Sequence, residues 1–588
     1  MKAQLKSIGL LTAVLLATDL AAQDNKQPAP ADNAPKITYI ANEGFLLEHG
    51  GGKVLTDALF DTGSGPFLAP SQELLAQLTE ARGPFANVDL LLVTHPHADH
   101  FNPKLVAAYL RNNTRRQLIA HTQAVDHLRK EEGFVQIQDQ IHEVNLEPGA
   151  RQRLTVKGIV IDALCLAHKP YYVDGRNAHE RVRNLAFVVD LGGTRFLHLG
   201  DATVESSLAH LNAYPFDETP VDLLFVAYLD RSQATQQFIA RKIKPSRIIA
   251  MHVPPAELAE ESKRMGAAYP YAIVFKQSME RRSTPIEVDF HNLSGAYFGQ
   301  PPPGATPEVF ARGIVSTDDL EHSAPCFSPD GNEVYWRENR RPGPDNKEGR
   351  GFNMTMRREN GRWSAPYVAP NGLFVFSADG RRAYFSSARP RSGAAQQGQP
   401  DLDIWFVERN GDNWGEPKCL NLVARYPELR WAGVHAIARN GALCFMGYTP
   451  GPLNDFGIYR AELINGEYAR PQLLPRSINL PPFLNWTPFI APDENYLLFS
   501  SNRTGSPDDA GDLYISRRLA DGSWTEPVSL GAPVNSRQQE RLPMLSLDGK
   551  YLFFTRPTPG HDQDVYWVDA ATIPALRSIA NLPQENPK

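Results

Sequence analysis

Residues 88–100 read VDLLLVTHPHADH. A run of apolar residues, Leu90 to Val93, with no polar face, is the pattern of a strand buried on both sides. It leads without a spacer into His95, His97, Asp99 and His100. Three imidazoles and a carboxylate within six residues make a poor core, and with 16 His in 588 residues chance rarely places them so closely. As nitrogen and oxygen donors at the end of a strand, they read as metal ligands.

Other apolar runs also end in a potential ligand. Ala163 to Ala167 is followed by His168, Arg195 to Gly200 by Asp201, and Ile248 to Met251 by His252. Each alone would more often be structural. Strand ends from different parts of a chain converge on one edge of a sheet, so together they predict one metal site. Val54-Leu55-Thr56 ends the same way, at Asp57. Between these runs, residues 72–81, 103–111, 122–132 and 233–242 carry helical patterns, and Leu74, Leu75 and Leu78 share a face. Further strands are expected at Ile159 to Ile161, Leu223 to Val226 and Ile248 to Ala250, so the first half reads as a layered α/β domain.

This set resembles the metallo-β-lactamase fold superfamily, an αββα sandwich of hydrolases, over about Ile37 to Phe290. The resemblance implies that His95, His97 and His168 hold one divalent ion, that Asp99, His100 and His252 hold a second, and that Asp201 bridges them. The donor set suits Zn²⁺, with Mn²⁺ or Fe²⁺ as alternatives. Asp57 would support the ligands rather than bind, and Asp99 would also orient the attacking water and collect its proton. His97 in place of Glu counts against the di-iron redox branch. A bridging Asp201 counts against true β-lactamases. Asn184-Leu185-Ala186-Phe187 and His198-Leu199-Gly200-Asp201 look most like the lactonase and general hydrolase branch. The implied reaction is attack of activated water on an ester, lactone, amide or phosphoester. His179 and Tyr228, with Tyr171 and Tyr172, are weaker candidates for substrate contact.

The second half has a different texture. Phe327-Ser328-Pro329-Asp330-Gly331 recurs in variant form at residues 376–380, 437–441, 490–494 and 545–549. Turn residues Asp330, Asp379, Asn440, Asp493 and Asp548 lie 49, 61, 53 and 55 residues apart. Trp363, Trp414, Tyr468 and Trp524, each three residues before a proline, keep the same beat, as do strands starting near Asp403, Gly457, Asp512 and Asp564. A period near 50 residues built from short strands and Asp-Gly turns requires neighbouring sheets to stack, and a ring removes most of their edges. The motifs resemble PD40 (WD40-like, TolB-type) β-propeller repeats over roughly Thr306 to Ala570; five are counted, with room for a degenerate sixth. The regular Trp positions predict packing between blades.

The expected organisation is a signal peptide over residues 1–22, a flexible leader over 23–36, a hydrolase domain over 37–298, a linker over 299–305, a propeller of about five blades over 306–575 and a tail over 576–588. Lys2 and Lys6 precede the apolar Ile8 to Thr18, and Ala21-Ala22 offers small residues for cleavage, so the chain is expected to be exported to the periplasm or beyond. No apolar run is long enough to span a bilayer. The scattered Cys165, Cys326, Cys419 and Cys444 read as free thiols, with a bridge in the C-terminal half the alternative. With 60 Lys and Arg against 66 Asp and Glu, net charge −6, the chain lacks the excess of basic residues that nucleic-acid binding favours. The propeller is expected to bind a protein or envelope component. The competing expectation is a non-catalytic envelope scaffold with a degenerate hydrolase domain.

Overall fold

The computed structural model describes residues 34–61, 66–340, 350–390, 402–449, 455–503, 511–558 and 563–577. The expected signal peptide, most of the leader and most of the tail lie outside the described residues. Two seven-stranded sheets face each other in the N-terminal half. The first runs, edge to edge, through Arg281–Ser283, Lys36–Ala41, Gly44–His49, Gly52–Thr56, Leu90–Val93, Gln117–His121 and Ile141–Val144. The second runs through Ile273–Val274, Arg247–Met251, Leu223–Ala227, Thr194–His198, Arg183–Leu191, Ile159–Ala167 and Arg151–Val156.

Alternation along the strands divides their side chains between two cores. Tyr39, Phe45, Leu47, Leu90, Leu92 and Ile119 point between the sheets, where they meet Phe187, Phe196 and Phe225. Ile40, Leu46, Leu55, Leu91 and Leu118 point outward to helices Gln72–Thr79, Pro103–Arg111 and Thr122–Leu128. Burial on both faces explains the unbroken Leu90–Val93 run. The outer face of the second sheet is covered by Leu258–Ala268 and by Gln233–Phe238, which continues as a π-helical turn over Ile239–Ile243. The architecture is αββα. Helix starts follow local chemistry: Ser71 Oγ accepts from Leu74 N at 3.1 Å, and Asn102 Oδ1 accepts from Lys104 N at 2.9 Å.

Among the described residues the C-terminal half forms five antiparallel sheets of four to six strands, arranged as a five-bladed propeller, and a two-stranded hairpin of Leu463–Ile464 with Glu467–Tyr468. Its turns repeat in atomic detail. Ser328, Ser377 and Ser546 each donate to the Asp two residues on, at 2.6, 2.7 and 2.7 Å, and each accepts from a backbone N–H five residues on. A glycine follows each Asp with φ of 66–68°. In the fourth blade Glu494 takes that position at φ 59°, and its carboxylate binds Arg460 of the third blade and Arg518 of its own at 2.7 and 3.0 Å.

An apolar core fills each junction between blades. Of the recurring aromatics, Trp363, Trp414, Tyr468 and Trp524 all pack in or against these cores. Closure comes from Glu308–Val309, which supplies the missing strand to the last blade by pairing with Tyr566 and Trp567. The core between the last and first blades also takes Phe290, Phe298 and Ala240 from the N-terminal half. Tyr297 and Phe298 lie in the left-handed region and drive their rings against Trp567 and Trp363.

The propeller therefore grips the αββα domain directly. Ala365 N donates to Ala240 O, Trp363 Nε1 to Gly295 O, both at 2.8 Å, and Tyr271 Oη to Glu338 Oε2 at 2.5 Å. Between the two lies a cavity of about 810 Å³ bordered by Arg247, Tyr271, Arg312 and Tyr367. Cys165, Cys326, Cys419 and Cys444 are all free thiols. Among the described residues no helix is long and apolar enough to cross a membrane.

Candidate metal centre

Five strands of the two sheets end at one edge. Gly52–Thr56 delivers Asp57, Leu90–Val93 delivers His95 to His100, Ile159–Ala167 delivers His168, Thr194–His198 delivers Asp201, and Arg247–Met251 delivers His252. All seven ligands expected from the sequence meet there, as His95, His97, His168 and Asp201 in one group and Asp99, His100 and His252 in another.

Asp201 faces both groups. Its Oδ2 lies 3.1 Å from His168 Nε2 and 3.9 Å from His95 Nε2. Its Oδ1 lies 3.3 Å from His100 Nε2 and 3.7 Å from His252 Nε2. His95 Nε2 stands 3.0 Å from His97 Nδ1 and 3.3 Å from His168 Nε2. Asp99 Oδ2 is 3.7 Å from both His100 Nε2 and His252 Nε2. Donors around a tetrahedral zinc ion stand about 3.3 Å apart, so these spacings fit. His100 Nε2, His252 Nε2 and Asp201 Oδ1 are buried without a hydrogen-bond partner, an arrangement that costs free energy unless a cation uses them.

The opposite ring nitrogens are tied down. His95 Nδ1 is 2.9 Å from Thr94 Oγ1, and His100 Nδ1 is 3.0 Å from Asp57 Oδ2. Lys169 O accepts from Nδ1 of both His168, at 2.8 Å, and His179, at 3.1 Å, leaving each Nε2 with its lone pair. Asp57 is held in turn by Thr94 N at 2.9 Å and Thr94 Oγ1 at 2.6 Å. Asn184 Oδ1 accepts from Asp201 N at 3.0 Å; a Cβ on Gly200 would fall 2.4 Å from that oxygen, and Gly200 has a φ of 57°. His252 also takes a left-handed φ, 60°, and stacks on Phe67 with ring centres 3.8 Å apart.

At His95 and His97 the protonation state suits ligation. Burial, then His100, pushes His95 well below the usual imidazole range, and burial, then His168, brings His97 down to about 4. Both imidazoles are then neutral, the form that binds a metal. At His100, burial pulls downward, but Asp201 and Asp57 outweigh it and raise its pKa well above the usual range. At Asp201 burial is overcome by His252 and His100, and the carboxylate stays ionised.

Two residues at the site do not appear in the sequence reading. Glu43, in the turn between Lys36–Ala41 and Gly44–His49, is fully buried; neither of its oxygens has a hydrogen-bond partner, and Oε2 lies 3.9 Å from His100 Nδ1. Burial, then the charge of Asp201, raises it well above the carboxylate range. Its neighbour Asn42 donates to Asp99 O at 3.2 Å and Asp99 Oδ2 at 3.3 Å. The signal was an amide and an acid, Asn42 and Glu43, between Ile37–Ala41 and the apolar Phe45–Leu47. His179 sits at the site, its ring 4.8 Å from that of His97 and 4.2 Å from that of His168. Tyr228 lies beyond the Leu223–Ala227 strand with Arg231 over its ring, and Tyr171 stacks on His179.

Fold and donor set define a candidate centre for divalent metal ions on an αββα sandwich. Residues 53–273 match the family model described as Beta-lactamase superfamily domain, and this part of the chain is a metallo-β-lactamase superfamily domain. Solved structures with a similar region include Igni18, a metallo hydrolase from the archaeon Ignicoccus hospitalis, at 14% identity over 43% of this chain and 100% of that one (TM-score 0.27). Others are CmlA, a diiron beta-hydroxylase from Streptomyces venezuelae, at 16% over 44% and 55% (TM-score 0.26), and yeast PDE1, at 13% over 40% and 94% (TM-score 0.26). No curated protein matches the chain.

Proposed function

We propose that the chain is an exported hydrolase whose N-terminal domain uses two divalent ions, zinc by its donor set, to cleave an ester, lactone, amide or phosphoester, while the propeller binds a protein or envelope component and positions it. The observation that carries this reading is the division of Asp201 between two groups of donors, three of whose atoms are buried without partners. Bound there, the ions would lower the pKa of water from 15.7 toward about 7.

The chain's own groups have separate tasks. Asp99, steadied by Asn42, presents Oδ2 between His100 and His252, where it can orient a water and take its proton. Asp57 holds His100 and the start of the histidine loop in register. Asp201 keeps the two groups of donors at a fixed separation. Export rests on the pattern of Lys2, Lys6 and Ile8 to Thr18, and N-terminal sequencing of protein recovered from the cell envelope tests it.

For the hydrolase, elemental analysis of protein purified without chelator is expected to give about two metal ions per chain. His97→Ala is expected to lower turnover of generic ester or phosphodiester probes by at least about a hundredfold, with the circular dichroism spectrum unchanged. Protein that takes up no metal even after reconstitution would be the scaffold instead.

A further inference from the structure

Between His168 and His179 the chain makes a small finger. Tyr172–Val173 pairs with Arg176–Asn177 across Asp174 and Gly175, whose φ angles are 49° and 74°. Positive φ at both turn positions marks the tight hairpin that matches strand twist. The base is tied: Ala178 N donates to Tyr171 O at 2.7 Å, and Asn177 Oδ1 accepts from the N–H groups of Tyr171 and His179, each at 3.0 Å. The finger is thus rooted at the metal edge on both sides.

Its sequence places large side chains in water. Tyr171 is 59% exposed, Tyr172 69% and Val173 48%. A cluster of exposed apolar side chains beside a site marks a binding surface. The Tyr171 ring stacks on His179 at 5.5 Å and 29°, and His179 lies against His97 and His168. Alternation along the strand puts Val173 on the Tyr171 side. Across the centre, Phe67 stacks on His252. The donors thus have an aromatic ring on either side, Tyr171 through His179 and Phe67 against His252.

We propose that this finger is the lip that selects substrate: the hydrolase takes compounds with an aliphatic or aryl group beside the scissile bond, and Tyr171 and Val173 cover that group. The inference rests on the hydrolase reading and adds a substrate class to it. Tyr171 has a second task as a positioning residue, holding His179 against His97 and His168. Val173 has an apolar side chain that cannot ligate a metal and pairs with Arg176, so it separates recognition from metal binding.

The test uses zinc-loaded full-length protein and p-nitrophenyl esters from acetate to octanoate. Wild-type kcat/KM is expected to rise about two- to threefold per added methylene, mostly through KM. Val173→Ser and Tyr171→Ser are expected to flatten that rise, whereas Val135→Ser, at a residue 74% exposed on the short helix Phe134–Gln136, keeps it. Calorimetry provides a readout without turnover: octanoate is expected to bind the wild type at least about tenfold more tightly than acetate, and Val173→Ser to lose the difference. Ester hydrolysis with no dependence on chain length, or a dependence that Val173→Ser leaves intact, overturns the lip. Absent hydrolysis of every ester with the octanoate preference intact sinks the esterase reading and leaves the lip standing.

Discussion

Asp201 and Asp57 show how much of this centre depends on single side chains. Asp201 serves two groups of donors, and Asp57, which meets His100 at Nδ1 rather than at the Nε2 that faces the other donors, orders the loop that supplies four of them. Removing a partner of this kind leaves the fold but loosens the imidazole it aims. Asp57→Ala is therefore expected to weaken metal binding about 10- to 100-fold, read by competition with a chromogenic chelator, with little change in far-ultraviolet dichroism. The seven donors were legible in the sequence because each follows an apolar run, and parallel strands end on a common edge. Glu43 and Asn42 were not, because they occupy a turn between antiparallel strands and come to the centre only through pairing of Lys36–Ala41 with Gly44–His49.

At the level of elements, the blades repeat their turns and differ in their buried charges. In the first blade Glu321 and Glu338 are direct cross-strand partners and both are fully buried. Burial raises Glu321 to about 9 and Glu338 to about 7. Ionised, the two would repel across the ladder. An acid whose folded pKa lies above its unfolded value holds its proton more tightly when folded, so its contribution is full below about 4.5 and is lost as pH rises toward about 9. The unfolding temperature is expected to fall by roughly 5 °C or more between pH 5.5 and 9, and Glu321→Gln to reduce that fall, measured by thermal scans in matched ionic strength. The spacing of the turns announced the blades. It did not announce these acids, whose pairing depends on the short strand Leu320–Glu321 joining Glu333–Arg340. The finger at Tyr172 to Asn177 did leave a mark in the sequence, Asp174-Gly175 beside residues suited to strands, but two residues a side make a weak pattern.

Across the whole molecule, the two halves share a core. All eight Trp residues lie in the propeller, so Trp fluorescence follows the ring alone. Phe290 and Phe298 sit in the junction that closes that ring, and Glu308–Val309 completes its last blade. Loosening the αββα domain should therefore be felt by the propeller. Stripping metal with a chelator is expected to lower the Trp-detected unfolding temperature by several degrees, through loss of ligand stabilisation. An unchanged Trp transition would mean that the halves unfold independently.

The grip also has a direction. Tyr271, Ser246 and Val221 stand where the parallel strands of the second sheet begin, and the segment carrying Val288 and His291 runs along that end. The metal donors stand where those strands finish, about 16 Å away for a five-residue strand. Whatever holds the ring thus holds the sandwich by its back. An immobilised molecule would keep its reacting mouth turned outward, open to compounds drifting past rather than to the surface on which it is mounted.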